Sequence, residues 1–361
     1  MISNTKTIKD EPVFNPDSFF PVVYATRGSL IESVHLGAIA VVDRDGQLIA
    51  SFGNPELVAY LRSSSKPIQV LPLIELGGVN QFNLSDEEVS LMCASHRGLD
   101  MHVEVLQKIQ AKIGVQEEDL LCGTHPINDK ATADAMLLRG ETPGQNRHNC
   151  SGKHTGFLAQ AILREMPKAD YINPQHPVQT LVLKTFSEMS HVSEEEIQIG
   201  IDGCSVPVFG VPLRNAGWSF ASLCDPSKLS PERAQACRVI TDAMTQAPDM
   251  VSGPGQFDTE LIKVGRGKII AKGGAEGYQS IGLLPGAIGE NSPALGIVYK
   301  IADGDSIGRA RPLVGIEILR QLGALDSQQI QALASFDTRP ILNWRKLEVG
   351  LLKPVFQLQF H

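Results

Sequence analysis

Arg62-Ser63-Ser64-Ser65-Lys66-Pro67 sets a hydroxyl and an amine three residues apart at a predicted helix start. Side chains at i and i+3 share a helix face, so one turn brings the Lys66 amine within reach of the Ser63 hydroxyl. Pro67 suits an early helical position, where its missing N–H costs little, and Ile68, Val70, Leu71, Leu73 and Ile74 supply an apolar face. A serine there sits among unpaired backbone N–H groups, which can stabilise a developing oxyanion. The bland alternative is a run of serines capping an ordinary helix. The same Ser-x-x-Lys spacing recurs at Ser3 and Lys6 with no apolar periodicity, so spacing alone decides nothing.

Upstream, residues 38–42 and 48–52 read as strands joined by Asp43-Arg44-Asp45-Gly46, and Asp-Gly between apolar runs is a hairpin signal. Downstream, Ser85-Asp86-Glu87-Glu88 is a capping box that opens a short helix toward Cys93-Ala94-Ser95-His96. Residues 102–113 have helical periodicity, with Gly114 as the stop. Residues 140–152 are rich in Gly, Asn and Pro and read as a loop, followed by a helix over 155–165. Ser193 with Glu196 repeats the capping signature before a strand at 197–201 that ends at Asp202-Gly203-Cys204. Ser230-Pro231-Glu232 opens a helix to about residue 245. Residues 268–274 and 295–301 are strands, the first carrying Lys272 to a glycine-rich bend, and helices at 311–322 and 327–334 close the pattern. Strand hairpins with interspersed helices predict an α/β mixed (α+β) fold, a sheet with helical layers.

The composition, 42% hydrophobic and 20% charged over 361 residues, is that of a soluble globular protein. A net charge of −8 with no run of Lys or Arg disfavours nucleic acid as a partner. Residues 1–17 are polar and read as a flexible N-terminal arm; residues 18–361 read as one catalytic unit of two packed subdomains. The first residues lack the apolar core of a secretory signal, and no later segment is long enough to span a bilayer, so a cytoplasmic protein with no membrane partner is expected. Six cysteines are too sparse for a disulfide scaffold.

Serine becomes a nucleophile when something removes its proton, and a lysine does so if burial or nearby positive charge lowers its pKa. Ser95 after a helix and Lys272-Gly273-Gly274 at a strand end stand in the order of the second and third motifs of serine-acylating enzymes, with Gly273 in place of Thr. Taken singly, Ser95 reads as a helix-terminating hydroxyl and Lys272 as a solvated strand end. Cys150 with Lys153 and His154, and Cys204 beside Asp202, form a second constellation of the donor types that zinc takes. One cysteine per segment is a weak metal signal, and two unrelated buried thiols remain the alternative. Cys93, Cys122, Cys224 and Cys237 have no comparable surroundings and read as core.

As an ordered series, Arg27-Gly28, 32–37, 62–67, 93–96, 148–154, 202–204, 253–259, 272–277 and 300–304 resemble the rhizobial-type (class 3) L-asparaginases, the asparaginase II family. The resemblance implies a serine β-lactamase/glutaminase-like fold, with a central, largely antiparallel sheet flanked by helices. It implies hydrolysis of L-asparagine to L-aspartate and ammonia by two Ser-Lys pairs, Ser63 with Lys66 and Ser95 with Lys272. It also implies Zn2+ held by Cys150, Lys153 and Cys204, substrate contacts from Arg62, His96, His154 and Asp202, and a homodimer. Zinc activating water and zinc positioning the Cys150 loop both stay open, as does the choice among Ser63, Ser64 and Ser65. Two rival functions stand beside this one: a zinc amidohydrolase without a serine intermediate, and a noncatalytic amino-acid binding protein.

Overall fold

The computed structural model of the chain describes residues 15–361. Residues 1–14 of the expected arm lie outside the described residues; Pro16–Ser18 form a 3-10 turn capped by the Asn15 side chain.

The described strands are β1 (Phe20–Arg27), β2 (Leu30–Asp43), β3 (Leu48–Phe52), β4 (Val58–Tyr60), β5 (Gln198–Ile201), β6 (Pro207–Pro212), β7 (Ile269–Gly273), β8 (Tyr278–Leu283), β9 (Leu295–Ile301), β10 (Arg339–Leu342), β11 (Glu348–Pro354) and β12 (Gln359–Phe360). One antiparallel sheet runs β10-β11-β1-β2-β9-β8-β7, with β3 also on β2 and β12 on β3; a small sheet runs β4-β6-β5. Ala38 to Val42 in the middle of β2 are all fully buried. An unbroken buried run marks a strand covered on both faces: helix Leu213–Cys224 packs on β2, β8 and β9, and helix Arg311–Gln321 packs on β1, β8 and β11. The predicted mixed α/β class, with a largely antiparallel sheet between helices, is the observed architecture.

The predicted hairpin forms, though β2 begins well before residue 38. Asp43 Oδ1 accepts from the backbone N–H of Asp45 and Gln47, and Gly46 takes φ +78°, the left-handed conformation that glycine adopts without steric cost.

Helix Lys66–Glu75 is the centre of the helical layer. Every residue from Lys66 to Ile74 is buried, because helices Ser151–Leu163, Pro177–Ser190 and Pro231–Gln246 surround it. The capping box at Ser85 and Glu88 starts helix Asp86–Met92 as expected. The helix expected over 155–165 instead spans Ser151–Leu163. Gly152 explains the difference: a Cβ there would stand 2.1 Å from the Leu91 carbonyl oxygen, so this glycine permits close helix contact and does not break the helix. Cys150 becomes the N-cap residue, and Lys153 and His154 lie in the first turns. Among the described residues no helix is long and apolar enough to cross a membrane.

Register fixes what faces the helical layer. Lys272 pairs with Ser280 and Ser280 with Val298; in the next row Gly274 donates to the Tyr278 carbonyl and Tyr278 pairs with Lys300. Directly paired residues, and residues two apart on a strand, share a face, so Lys272 and Lys300 lie on one side of the sheet.

Candidate active site

Ser63 belongs to a 3-10 turn, Arg62–Ser65, that runs into helix Lys66–Glu75 with Pro67 in its first turn. The turn separates the three hydroxyls. Ser64 is buried and donates to the Lys272 carbonyl at 2.6 Å, and Ser65 donates back to the Arg62 carbonyl at 2.9 Å. Ser63 is half-buried, and its hydroxyl makes no hydrogen bond among the described residues. Arg62 holds φ +51°, a strained value for a residue with a Cβ. Its guanidinium is anchored on Asp202 Oδ1 through Nε at 2.8 Å and Nη2 at 2.7 Å. That ion pair ties the serine turn to the β5–β6 hairpin that carries Cys204.

Both lysines of the expected pairs are fully buried, and both reach Ser95. Lys66 Nζ donates to the Ala94 carbonyl at 2.5 Å, to Ser95 Oγ at 3.0 Å and to the Asn149 carbonyl at 3.3 Å. Lys272 Nζ lies 2.9 Å from Ser95 Oγ and 2.7 Å from the Gly273 carbonyl. Ser95 and Lys272 therefore meet as a pair, whereas Lys66 turns toward Ser95 and not toward Ser63. Buried lysines are rare without a task. Burial pulls the Lys272 amine from its ordinary 10.5 down to about 7; Asp258 opposes this, and Lys66 and Arg311 add to it. The site thus holds a lysine that is a base near neutral pH.

Asp258 received no role from sequence reasoning, although it lies inside the 253–259 segment. It is buried at the start of helix Phe257–Val264, where Oδ2 accepts from the Gly273 N–H at 2.7 Å and from Ser252 at 3.3 Å, and Oδ1 accepts from Gln279 at 3.0 Å. Arg311 stands 3.8 Å away and also bonds Gln279. Burial alone would push this carboxyl up; the Arg311 and Lys272 charges with those hydrogen bonds hold it below the usual range. Nothing local set it apart: Gln256, Thr259 and Glu260 beside it are also polar, and Glu260 is a second acid in the same first turn.

The second constellation also assembles. Lys153 Nζ is 3.2 Å from Cys204 Sγ, and the Cys150 thiol lies near enough to the Cys204 thiol to interact with it, all three side chains being buried. The Cys204 thiol, with the Lys66 and Lys153 charges, drives the Cys150 thiol well below its ordinary value. Among the described residues no group of three His, Cys, Asp or Glu side chains is arranged to hold a metal. The set here is two thiols and an amine: a lowered thiol beside a second thiol fits a soft divalent ion, and the Lys153 amine, raised by Cys204, Cys150 and Asp202 against its burial, would give up its proton on binding.

His96 and His154 are both buried, and burial holds both rings neutral. The two nitrogens of His96 are engaged, Nε2 with Ser151 at 2.8 Å and Nδ1 accepting from the Gly98 N–H at 3.1 Å. His154 Nδ1 meets the Tyr171 hydroxyl at 2.7 Å, while its Nε2 is buried with no partner among the described residues. A hollow of about 610 Å3 between residues 124–127 and helix Lys130–Leu138 carries none of these groups; a smaller one, about 300 Å3, opens beside Arg62.

Among solved structures, a Bacillus subtilis glutaminase in covalent complex with 5-oxo-L-norleucine is similar at 12% identity over 82% of this chain and 88% of that one, with a TM-score of 0.36. A Bacillus glutaminase in the presence of 4.3 M NaCl is similar at 12% identity over 82% and 91%, with a TM-score of 0.37. No curated protein matches. The family described as L-asparaginase II matches residues 23–354, nearly the whole chain and every segment of the candidate site, and the chain belongs to that family.

Proposed function

We propose that this amidohydrolase cleaves the side-chain amide of L-asparagine, with Ser63 as nucleophile and the Lys66–Ser95–Lys272 chain as its proton relay. The observation that carries the reading is that chain: two buried lysines on one serine hydroxyl, one of them with its amine lowered to about 7. A proton passing from Lys66 through Ser95 to Lys272 frees the Lys66 amine. That amine takes the Ser63 proton as Oγ bonds the amide carbon. Ser95 then delivers a proton to the departing nitrogen, which leaves as ammonia, and the product is a β-aspartyl ester. Water cleaves the ester, its hydroxyl going to the carbonyl carbon and a proton returning to Ser63. Lys66 sits one helical turn on from Ser63, and catalytic hydrogen bonds often close only when substrate binds.

A second reading makes Ser95 the nucleophile, because its hydroxyl already contacts both amines. The variants separate the two. Ser63→Ala is expected to cut kcat by at least 10^3-fold, on the scale of nucleophile removal elsewhere, with the fold intact by circular dichroism. Ammonia release from asparagine near the normal rate would exclude Ser63, and loss of that activity on removing Cys150 or Cys204 would then favour the zinc amidohydrolase over Ser95.

Cys150, Cys204 and Lys153 are the residues that would hold Zn2+, and the bound ion would tie these three side chains together beside the Arg62–Asp202 pair. Its role in this reading is to hold the first turn of helix Ser151–Leu163 and the β5–β6 hairpin in place. Chelation should then raise KM, lower the unfolding temperature and release about one zinc per chain; a fall in kcat at constant KM would favour the zinc amidohydrolase. The chain is also proposed to be cytoplasmic and to act as a homodimer, sedimenting at twice 39.1 kDa.

A further inference from the structure

The hollow beside Arg62 is lined by Phe19, Tyr60, Arg62, Glu276 and Lys300 among others. Three segments bound its polar side. Arg62 precedes Ser63, Glu276 lies in the turn after Lys272, and Lys300 lies near the end of β9. These segments are pressed together: a Cβ on Gly274 would stand 2.4 Å from the Leu61 carbonyl oxygen, and one on Gly277 2.8 Å from the Ile301 side chain. Lys300 and Lys272 share a sheet face, two strands and two residues apart, which puts their Cα atoms roughly 12 Å from each other.

Burial lowers the Lys300 amine, and the Glu276 and Asp303 carboxylates oppose this through space without touching it. The Lys300 ammonium donates to the Ile301 carbonyl at 2.5 Å and makes no ion pair among the described residues; nor does the Glu276 carboxylate. Arg62 already serves Asp202. A cation and an anion therefore border one small hollow, each without a counter-charge in contact. The volume, about 300 Å3, lies at the small end for ligand pockets, which suits a single amino acid better than a peptide.

We propose that this hollow receives the charged head of a free α-amino acid, Lys300 pairing with the α-carboxylate and Glu276 with the α-ammonium while the side-chain amide extends to Ser63. This assignment rests on the amide-hydrolysis reading above. It makes free asparagine the substrate, not asparagine within a peptide, whose α-groups are amides and would leave both charges unpaired.

The test pairs each residue with an analogue that lacks its partner: 3-aminopropanamide has no α-carboxylate, and succinamate has no α-ammonium. Lys300→Met should erase at least tenfold of the kcat/KM preference for asparagine over 3-aminopropanamide and leave the preference over succinamate in place. Glu276→Gln should do the reverse. Wild-type turnover with both preferences unaltered in both variants overturns the assignment and leaves the hydrolysis reading standing. If the wild type hydrolyses none of the three amides, that reading fails, and thermal shift with L-aspartate decides the subsite. A shift seen in the wild type and lost in Lys300→Met upholds it; no shift, or the same shift in both, overturns it. Circular dichroism checks each fold, and Lys300→Gln replaces Lys300→Met if the latter does not fold.

Discussion

At Lys272, the drop from 10.5 to about 7 corresponds to roughly 5 kcal/mol by which the site disfavours the charged amine relative to water. Burial supplies most of it, and the Asp258 carboxylate sets a limit to it. Because the proposed relay needs the Lys272 amine free, kcat/KM for asparagine should rise with pH and level off above about 7. Asp258 raises the amine's pKa, so Asp258→Asn should move that acid limb to lower pH. Removing Arg311, which lowers it, should move the limb up. A merely structural role for Asp258 would lower activity without displacing the limb, and pH–rate profiles of the two variants distinguish the cases. Asp258 and Arg311 are positioning residues here, acting through Lys272 and the Gly273 N–H.

Within the elements, Gly152 and the β5–β6 hairpin decide whether the thiols meet. Helix Ser151–Leu163 lies so close to helix Asp86–Met92 that a methyl group at residue 152 has no space beside the Leu91 carbonyl. Gly152→Ala should therefore cost about 1–3 kcal/mol through overpacking. It should also move Cys150 and Lys153 away from Cys204, so zinc content is expected to fall together with the unfolding temperature. A stable variant with full zinc occupancy would show that the two helices separate without disturbing the ligand turn. The Arg62–Asp202 pair joins the same hairpin to the strained serine turn, which couples the thiol cluster to Ser63 through one ion pair.

Across the whole molecule, the last strands complete the sheet begun by the first. β11 pairs with β1, β12 pairs with β3, and Val355 donates to the Val22 carbonyl. Leu352, Phe356 and Leu358 are buried there, with the Phe356 ring 5.5 Å from Phe52. Each such side chain contributes about 1.5–3 kcal/mol, so together they approach the 5–15 kcal/mol that typically holds a domain folded. Deleting residues 339–361 should abolish the cooperative thermal transition. Phe356→Ala alone should cost about 3–5 kcal/mol and keep the transition cooperative; calorimetry of both chains checks this.

Local chemistry in the sequence was enough for the β2–β3 hairpin, the Ser85 capping box, the helix stop at Gly114 and the mixed class, because turns, caps and apolar periodicity act over a few residues. The same local signals located the lysines and cysteines that burial later set apart. What they left undecided was which groups touch. That Ser64 serves the Lys272 carbonyl, that Lys66 turns to Ser95, and that Lys153 lies on Cys204 are contacts across 208, 29 and 51 residues. The role of Gly152 as a close-packing point was equally illegible, since its meaning lies on the facing helix. So Ser-x-x-Lys, legible as a spacing, drew both residues into one neighbourhood, while tertiary packing engaged Ser64 and Ser65 and left Ser63, of these three serines, without a partner among the described residues. The physical reason is range: dihedral preferences and caps are written in neighbouring residues, but burial, a lowered amine and a shared hydrogen bond exist only once distant segments are packed together.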